Sequence, residues 1–360
     1  MDGQGKILLE WVPMSVEEIW LIDRGFEGTL ECGKLPLQLR MFYISNNRFI
    51  GTINFADLPK TIEGFDASKN FITGVLDLRN MPEKLTYCNV FYNSLESMIL
   101  HSDTNIEKLF IGSNKFSASL DISDLPKGLS QFGCDKNAFV GSVDLKDLPR
   151  TLQKVWLFEN KFEGTLRLQH LPEESTHVSL SKNSFSGTLS FCNLPKNLEE
   201  LLLWVNKFRG SVSLRKLPST LIKLGLSQNS FSGHVDLTHL PASLMELYLN
   251  SNNFSGRLNL TLLPPSMKVF SCSVNHFSGE ISLEKLPNTL KRIQLNHNEL
   301  SGDVSLGELP DALETLWIHD NCFHGTLTIG AAAKKLTNLR YHGNNFCKEI
   351  RSRGSPKKSG

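Results

Sequence analysis

Hydrophobic and polar positions along this chain recur in one fixed cassette. Two leucines alternate with variable residues in L-x-L, an asparagine follows three places after the second leucine, and an aromatic comes two places after the asparagine. A glycine comes next, then a further L-x-L or V-x-L run. Leu240 to Leu262 reads LPASLMELYLNSNNFSGRLNLTL, and LPSTLIKLGLSQNSFSGHVDLTH from Leu217 and LPKNLEELLLWVNKFRGSVSLRK from Leu194 repeat it. The asparagines stand 23 residues apart at Asn47, Asn70 and Asn93, take one step of 21, and continue through Asn114, Asn137, Asn160, Asn183, Asn206, Asn229, Asn252, Asn275, Asn298, Asn321 and Asn344. Arg24 holds the same place in a degenerate first repeat. A fixed period of this size means a solenoid, in which each repeat is one turn and buries its apolar face only by stacking on its neighbours.

Each position has a physical role. L-x-L alternation predicts a short strand with its leucines turned inward; in Leu247-Tyr248-Leu249 the tyrosine faces out. One strand per turn means parallel stacking at about 4.8 Å, so fifteen turns would extend roughly 70 Å. The asparagine ends the strand, where the bent backbone needs polar partners, and a carboxamide offers both donors and acceptors. Two places later phenylalanine fills twelve of the turns, and Ile72, Leu95 and Leu300 the other three, so this column predicts a buried apolar spine. The glycines (Gly164, Gly187, Gly210, Gly233, Gly256 and Gly279 among them) predict a positive φ or a close approach between coils. V-x-L, as in Val235-Asp236-Leu237, predicts a second short strand on another side of the coil. Thirteen of the 15 prolines stand in the column of the L-P pair, where proline blocks helix and fixes a turn.

The motif L-x-x-L-x-L-x-x-N-x-F/L resembles the leucine-rich repeat over some 330 residues. The F-S-G that follows is similar to the plant-type subclass, in which that stretch adds a second strand. The L-P start resembles bacterial leucine-rich effectors, whose repeats are shorter, and the long repeat is similar to families multiplied in unicellular eukaryotes. The resemblance implies the α/β horseshoe class: a right-handed solenoid, predominantly β, with a parallel concave sheet, little helix, and a protein bound on the concave side. The expected organisation is a cap over 1–11, with Leu9 and Trp11 covering the first coil, a solenoid over 12–347, and a basic disordered tail over 348–360 carrying Arg351, Arg353, Lys357 and Lys358. The short step between Asn93 and Asn114 loses its L-P pair and puts Ser97 and Ala118 in place of glycine, so a kink is expected there.

Charge adds an exclusion. With 38 basic and 37 acidic residues the formal net charge is +1, so no field favours nucleic acid or an anionic membrane. No apolar run reaches the length of a membrane span. The opening MDGQGKILLEWVP is not the pattern of a secretory signal. Of the seven cysteines, Cys88, Cys134 and Cys272 take core strand positions, and Cys32, Cys192, Cys322 and Cys347 form no C-x-x-C pair. A reducing, cytoplasmic location is expected. The alternative is a surface or secreted recognition protein whose targeting segment is missing from this sequence, with glycan at Asn253 or Asn259.

Function must lie at positions the repeat leaves free. Six, four and two places before each asparagine, side chains leave the sheet on the side away from the core. Trp20, Trp156, Trp204 and Trp317, four of the five tryptophans, stand there. Trp, Tyr and Arg dominate binding hot spots, and exposed apolar patches mark interaction sites. The expected protein-binding residues are Phe110, Trp156, Phe158, Leu202, Trp204, Tyr248 and Trp317. Lys108, Lys154, Glu200, Lys223 and Glu246 would form a charged margin. Aromatics also favour strands for their own sake, so stacking between rungs is the competing explanation. His319 and His342 share a column on adjacent turns, with Asp320 and His297 near, but a solvated polar surface is the simpler reading and no metal or cofactor is expected. No phosphate-binding loop, H-E-x-x-H or nucleophile elbow occurs. The expectation is a non-enzymatic, monomeric scaffold that binds a protein partner.

Overall fold

Each cassette closes one turn of a parallel β-coil in the computed structural model, which describes residues 5–351. These residues form two compact units, one running to Gly164 and taking in His170–Ser184, the other comprising Thr165–Gln169 and the chain from Phe185 onward. In the first unit eight short strands stack in parallel: Glu18–Trp20, Met41–Tyr43, Gly64–Asp66, Tyr87–Asn89, Lys108–Phe110, Gln131–Gly133, Lys154–Trp156 and His177–Ser179. In the second unit seven do so, from Glu200–Leu202 to Asn338–Arg340. Each strand pairs with its equivalent one repeat on, as Leu224 does with Leu247. That register turns the alternate leucines inward: Leu247 and Leu249 are fully buried and Tyr248 between them half-buried.

The asparagine column ties one turn to the next. Asn70 Oδ1 accepts from the Phe49 amide of the preceding turn at 3.0 Å. Its Nδ2 donates to the carbonyls of Ile44 on that turn, Ala67 and Ser68 at 3.0, 3.1 and 3.1 Å. Asn252 repeats the pattern in the second unit with Phe231, Leu226, Leu249 and Asn250. The residue before each asparagine takes the left-handed conformation whatever its type, at φ 53° for Lys69, 57° for Tyr92 and 56° for Val274. The repeat gave no sign of this, because no common side chain marks the position. The phenylalanine spine is as expected, with Phe116 and Phe139 stacked at 5.5 Å and Phe231 and Phe254 at 6.0 Å between ring centroids. The L-P pair makes a tight turn in which the amide three residues on donates to the proline carbonyl, as from Leu129 to Pro126. Three-residue 3-10 turns precede several of these pairs and, with a five-residue 3-10 segment at Ala331–Lys335, are the only helix among the described residues.

The second strand lies elsewhere than V-x-L. In most turns it runs over x-F-S-G, as in Ser230–His234 and Asn253–Gly256, while Val235 and Leu237 are buried but unpaired in strand terms. Gly233 takes φ 83° just before V-x-L, and the equivalent Gly74 and Gly302, at 87° and 84°, mark shifts in strand register. Only longer strands such as Phe71–Asp77, Glu299–Leu306 and Cys322–Ile329 carry through. At the short step the main strands stay in register, Cys88 opposite Leu109. The second ladder breaks instead: it ends at Ser94–Ile99, meets only an isolated bridge between Ser119 and Val140, and resumes with Val140–Ser142.

The ends differ from expectation in two places. Leu9 is buried, but Trp11 is 78% exposed and covers nothing. Lys348–Arg351, assigned above to the start of the tail, forms a strand parallel to Cys322–Ile329. The open ladder edge of the last turn supplies unpaired backbone groups that any following chain can satisfy. Arg353, Lys357 and Lys358 lie outside the described residues.

Candidate functional site

Because side chains alternate across a strand, the main sheet presents three outward columns that the core does not constrain. In the first unit these columns carry a run of rings: Trp20 meets Tyr43 edge-on at 4.3 Å, and Tyr43–Tyr87 and Tyr87–Phe110 follow at 6.0 Å each. Phe110 and Trp156 lie two turns apart, yet their ring centroids are 6.1 Å from each other. They approach because the strand between them presents Gly133, and both rings lean over it: a Cβ there would lie 3.3 Å from Phe110 Cδ1 and 3.7 Å from Trp156 Cε3. Phe91 and Phe158 stand in the next column, and with Asn89, Phe110 and Trp156 they wall a shallow pocket of about 400 Å³ around Asp135. Phe91, Phe110, Trp156 and Phe158 are all half-buried.

Asp135 was missed by a search for aromatics. Its residue is 9% exposed, and it makes no salt bridge or side-chain to side-chain hydrogen bond among the described residues. Burial pushes its carboxyl up to about 6, Glu159 pushes the same way, and its own amide and Lys136 oppose them. The signal available in the sequence was the pair Gly112 and Gly133 in outward positions beside an aspartate; a Cβ on Gly112 would collide with Asp135 Oδ1 at 2.7 Å.

In the second unit, Leu202 and Trp204 flank Gly225, where a Cβ would meet Leu202 Cδ2 at 3.1 Å and Trp204 Cδ1 at 3.2 Å. Tyr248 is half-buried on the next strand; its hydroxyl donates to Glu246 at 3.1 Å, and burial together with Glu246 pushes it up to about 12. Lys223 and Glu246, expected as charged margin, pair at 3.2 Å. Trp317 is covered by a neighbour: the Arg340 guanidinium lies 4.5 Å from its ring centroid. The proposed residues therefore fall into two groups, Phe110, Trp156 and Phe158 in one unit and Leu202, Trp204, Tyr248 and Trp317 in the other.

His297, His319 and Asp320 each bring a ligand atom within 4.8 Å of the others, and His342 stacks on His319 at 4.8 Å. Donors at about 2.0–2.1 Å from a tetrahedral zinc would sit roughly 3.4 Å apart; here Asp320 Oδ2 lies 3.5 Å from His297 Nε2 and 3.8 Å from His319 Nε2. His319 is 6% exposed and its Nδ1 has no hydrogen-bond partner among the described residues. Burial lowers its pKa and Asp320 opposes that shift. Cys32, Cys88, Cys134 and Cys272 are buried free thiols, pushed up by burial. No helix among the described residues is long and apolar enough to cross a membrane.

No family model matches the chain, and no curated protein does. Solved structures do. The chain is similar to the ectodomain of the Arabidopsis receptor kinase HAESA, solved with an extended IDA peptide hormone: 25% identity, TM-score 0.72, covering 92% of this chain and 58% of that one. It is similar to a TDR receptor at 22% identity and TM-score 0.69, covering 92% of this chain and 64% of that one. It is also similar to YopM, a leucine-rich effector of Yersinia pestis, at 22% identity and TM-score 0.67, covering 93% of this chain and 88% of that one. The chain thus spans about three fifths of the length of the two receptor structures. The 23-residue cassette, the parallel coils with their asparagine and phenylalanine columns, and these likenesses show that the chain has the leucine-rich-repeat solenoid fold.

Proposed function

We propose that this protein is a non-enzymatic binding module that captures a protein or peptide partner on the outward face of its main sheet, as a monomer inside the cell. The observation that carries the reading is the pair Phe110 and Trp156, held half-buried at 6.1 Å over a glycine that leaves the space between them open. The coil does not need large rings there. Ser179 and Ser271 serve in the same column elsewhere, so fold stability alone does not call for them. Rigid aromatics already partly desolvated lose little entropy on binding and so make good anchors. The peptide hormone held by the HAESA ectodomain supports a peptide-sized ligand.

A second reading, a recognition protein acting outside the cell, draws on the likeness to receptor ectodomains and on the exposure of Asn253 and Asn259. Glycan on either asparagine in protein taken from its native source would establish it over the intracellular reading.

Affinity capture from native lysate tests the proposal, with wild type compared against Trp156→Ala and Trp204→Ala separately, after circular dichroism shows all three folded alike. Partners missing from the Trp156→Ala sample support the face in the first unit. Identical partner lists for all three would overturn it.

A further inference from the structure

We infer that the pocket around Asp135 is a receptor for one basic side chain, arginine or lysine, projected by the bound partner. The inference rests on the reading above and gives that face its chemistry. Three observations converge. The space a Cβ of Gly133 would fill lies 3.3 Å from Phe110 Cδ1, 3.5 Å from Asp135 Oδ1 and 3.7 Å from Trp156 Cε3. One small group at that point touches two ring faces or edges and a carboxylate at once. Phe91 and Phe158 complete the aromatic wall. The Asp135 residue is nine-tenths buried, yet it forms no salt bridge among the described residues, Lys136 acting on it only at longer range.

Burying a charge without a partner is unfavourable, and proteins rarely keep one where nothing uses it. Aromatic faces carry negative potential and attract cations within about 6 Å, more strongly once water is excluded. A carboxylate with rings on several sides therefore suits an ammonium or guanidinium, and repels an anion. The two glycines fit the same purpose. Gly112 leaves Asp135 Oδ1 uncrowded, and Gly133 keeps the volume between the rings open. By contrast, the equivalent outward gap at Gly225 has Leu202 and Trp204 about it, and Ser227 rather than an acid two places on. It offers an apolar notch with no fixed charge.

The test is an amide-resolved NMR titration of the full chain with N-acetyl-arginine methylamide and, separately, N-acetyl-lysine methylamide. The matching citrulline and norleucine compounds are the uncharged controls. Saturable shifts at the Gly112 and Gly133 amides and the Trp156 indole are expected with the basic probes at millimolar concentration. They should weaken at least tenfold in Asp135→Asn, which removes a buried unpaired charge and so should fold, and disappear in Gly133→Leu, which fills the space. The stronger of the two basic probes identifies the side chain. No saturable shift up to 50 mM (about the weakest binding one such contact could give), equal binding by citrulline, or undiminished binding by Asp135→Asn would overturn the inference. Partner capture that depends on Trp156 while these probes fail would leave the binding face standing and remove only its preference for a cation.

Discussion

Replacing Asn252 by alanine should destabilise the second unit by about 3 kcal/mol, several times what an ordinary surface change does. The side chain is buried and makes four hydrogen bonds: it accepts from the Phe231 amide at 3.0 Å and donates to the carbonyls of Leu226, Leu249 and Asn250 at 3.0, 3.0 and 3.3 Å. Alanine leaves that buried amide without an acceptor, which costs about 1–3 kcal/mol. The carbonyls, each with two lone pairs, tolerate the loss better and add the remainder. Asn252→Asp should be worse at neutral pH, since it keeps the acceptor but aims an anionic oxygen at carbonyls. Asn253→Ala is the control, being one residue away but exposed, and should change stability by less than about 0.5 kcal/mol. Urea unfolding followed by circular dichroism reads the whole effect. Because stacked repeats can open locally, exchange of the Phe231 amide is the sharper probe, and about 3 kcal/mol should speed it roughly a hundredfold. An Asn252→Ala protein that unfolds and exchanges like Asn253→Ala would refute the claim that the carboxamide column holds the coils together.

Three further outcomes follow from particular residues. Val274 is a β-branched residue held at φ 56° with an exposed side chain, so Val274→Asn should raise stability by about 1 kcal/mol in urea unfolding. Asp135 has its carboxyl raised to about 6 by burial; the folded state therefore holds that proton more tightly than the unfolded one, and stability falls as pH rises from about 4 through 6. Asp135→Asn should raise the Tm at pH 7.5, with the gain vanishing by pH 4; an unchanged Tm at pH 7.5 would show the carboxylate is not strained by burial. His319 is lowered by burial, with His342, His297 and Arg340 adding to the effect and Asp320 opposing it. The folded state resists protonation, so stability should drop as pH falls through the ordinary histidine range near 6.5, and His319→Gln should flatten the fall in urea midpoint between pH 7.5 and 5.

The parts of the fold legible in the sequence are those where one residue type is chemically required. The end of the strand uses one acceptor and an NH2 group that donates to several carbonyls, which the short asparagine carboxamide supplies, so Asn70 and Asn252 announce themselves. The spine needs bulk, so Phe231 and Phe254 recur. The left-handed residue before each asparagine was invisible because the coil imposes its conformation on lysine, tyrosine and valine alike. The second strand falls on x-F-S-G and not on V-x-L, because Val235 and Leu237 alternate as a strand does but are buried by packing rather than by ladder pairing. The strand Lys348–Arg351 was read as tail because its pairing comes from the open edge of the previous turn, not from its own basic sequence. At the candidate site, Phe110 and Trp156 stood out as aromatics the repeat does not require. Asp135 did not, because its importance lies in the absence of bulk at Gly112 and Gly133.

Site-specific photo-crosslinking tests the central claim most directly. A benzophenone amino acid replaces Phe110, on the outward face of the main sheet, or Phe71, which is exposed on the second strand set of the same unit. Irradiation in cells that normally express the protein should give a discrete protein adduct from position 110 and none from position 71. Adducts from position 71 alone would contradict the account and move the binding surface to the other side of the coil.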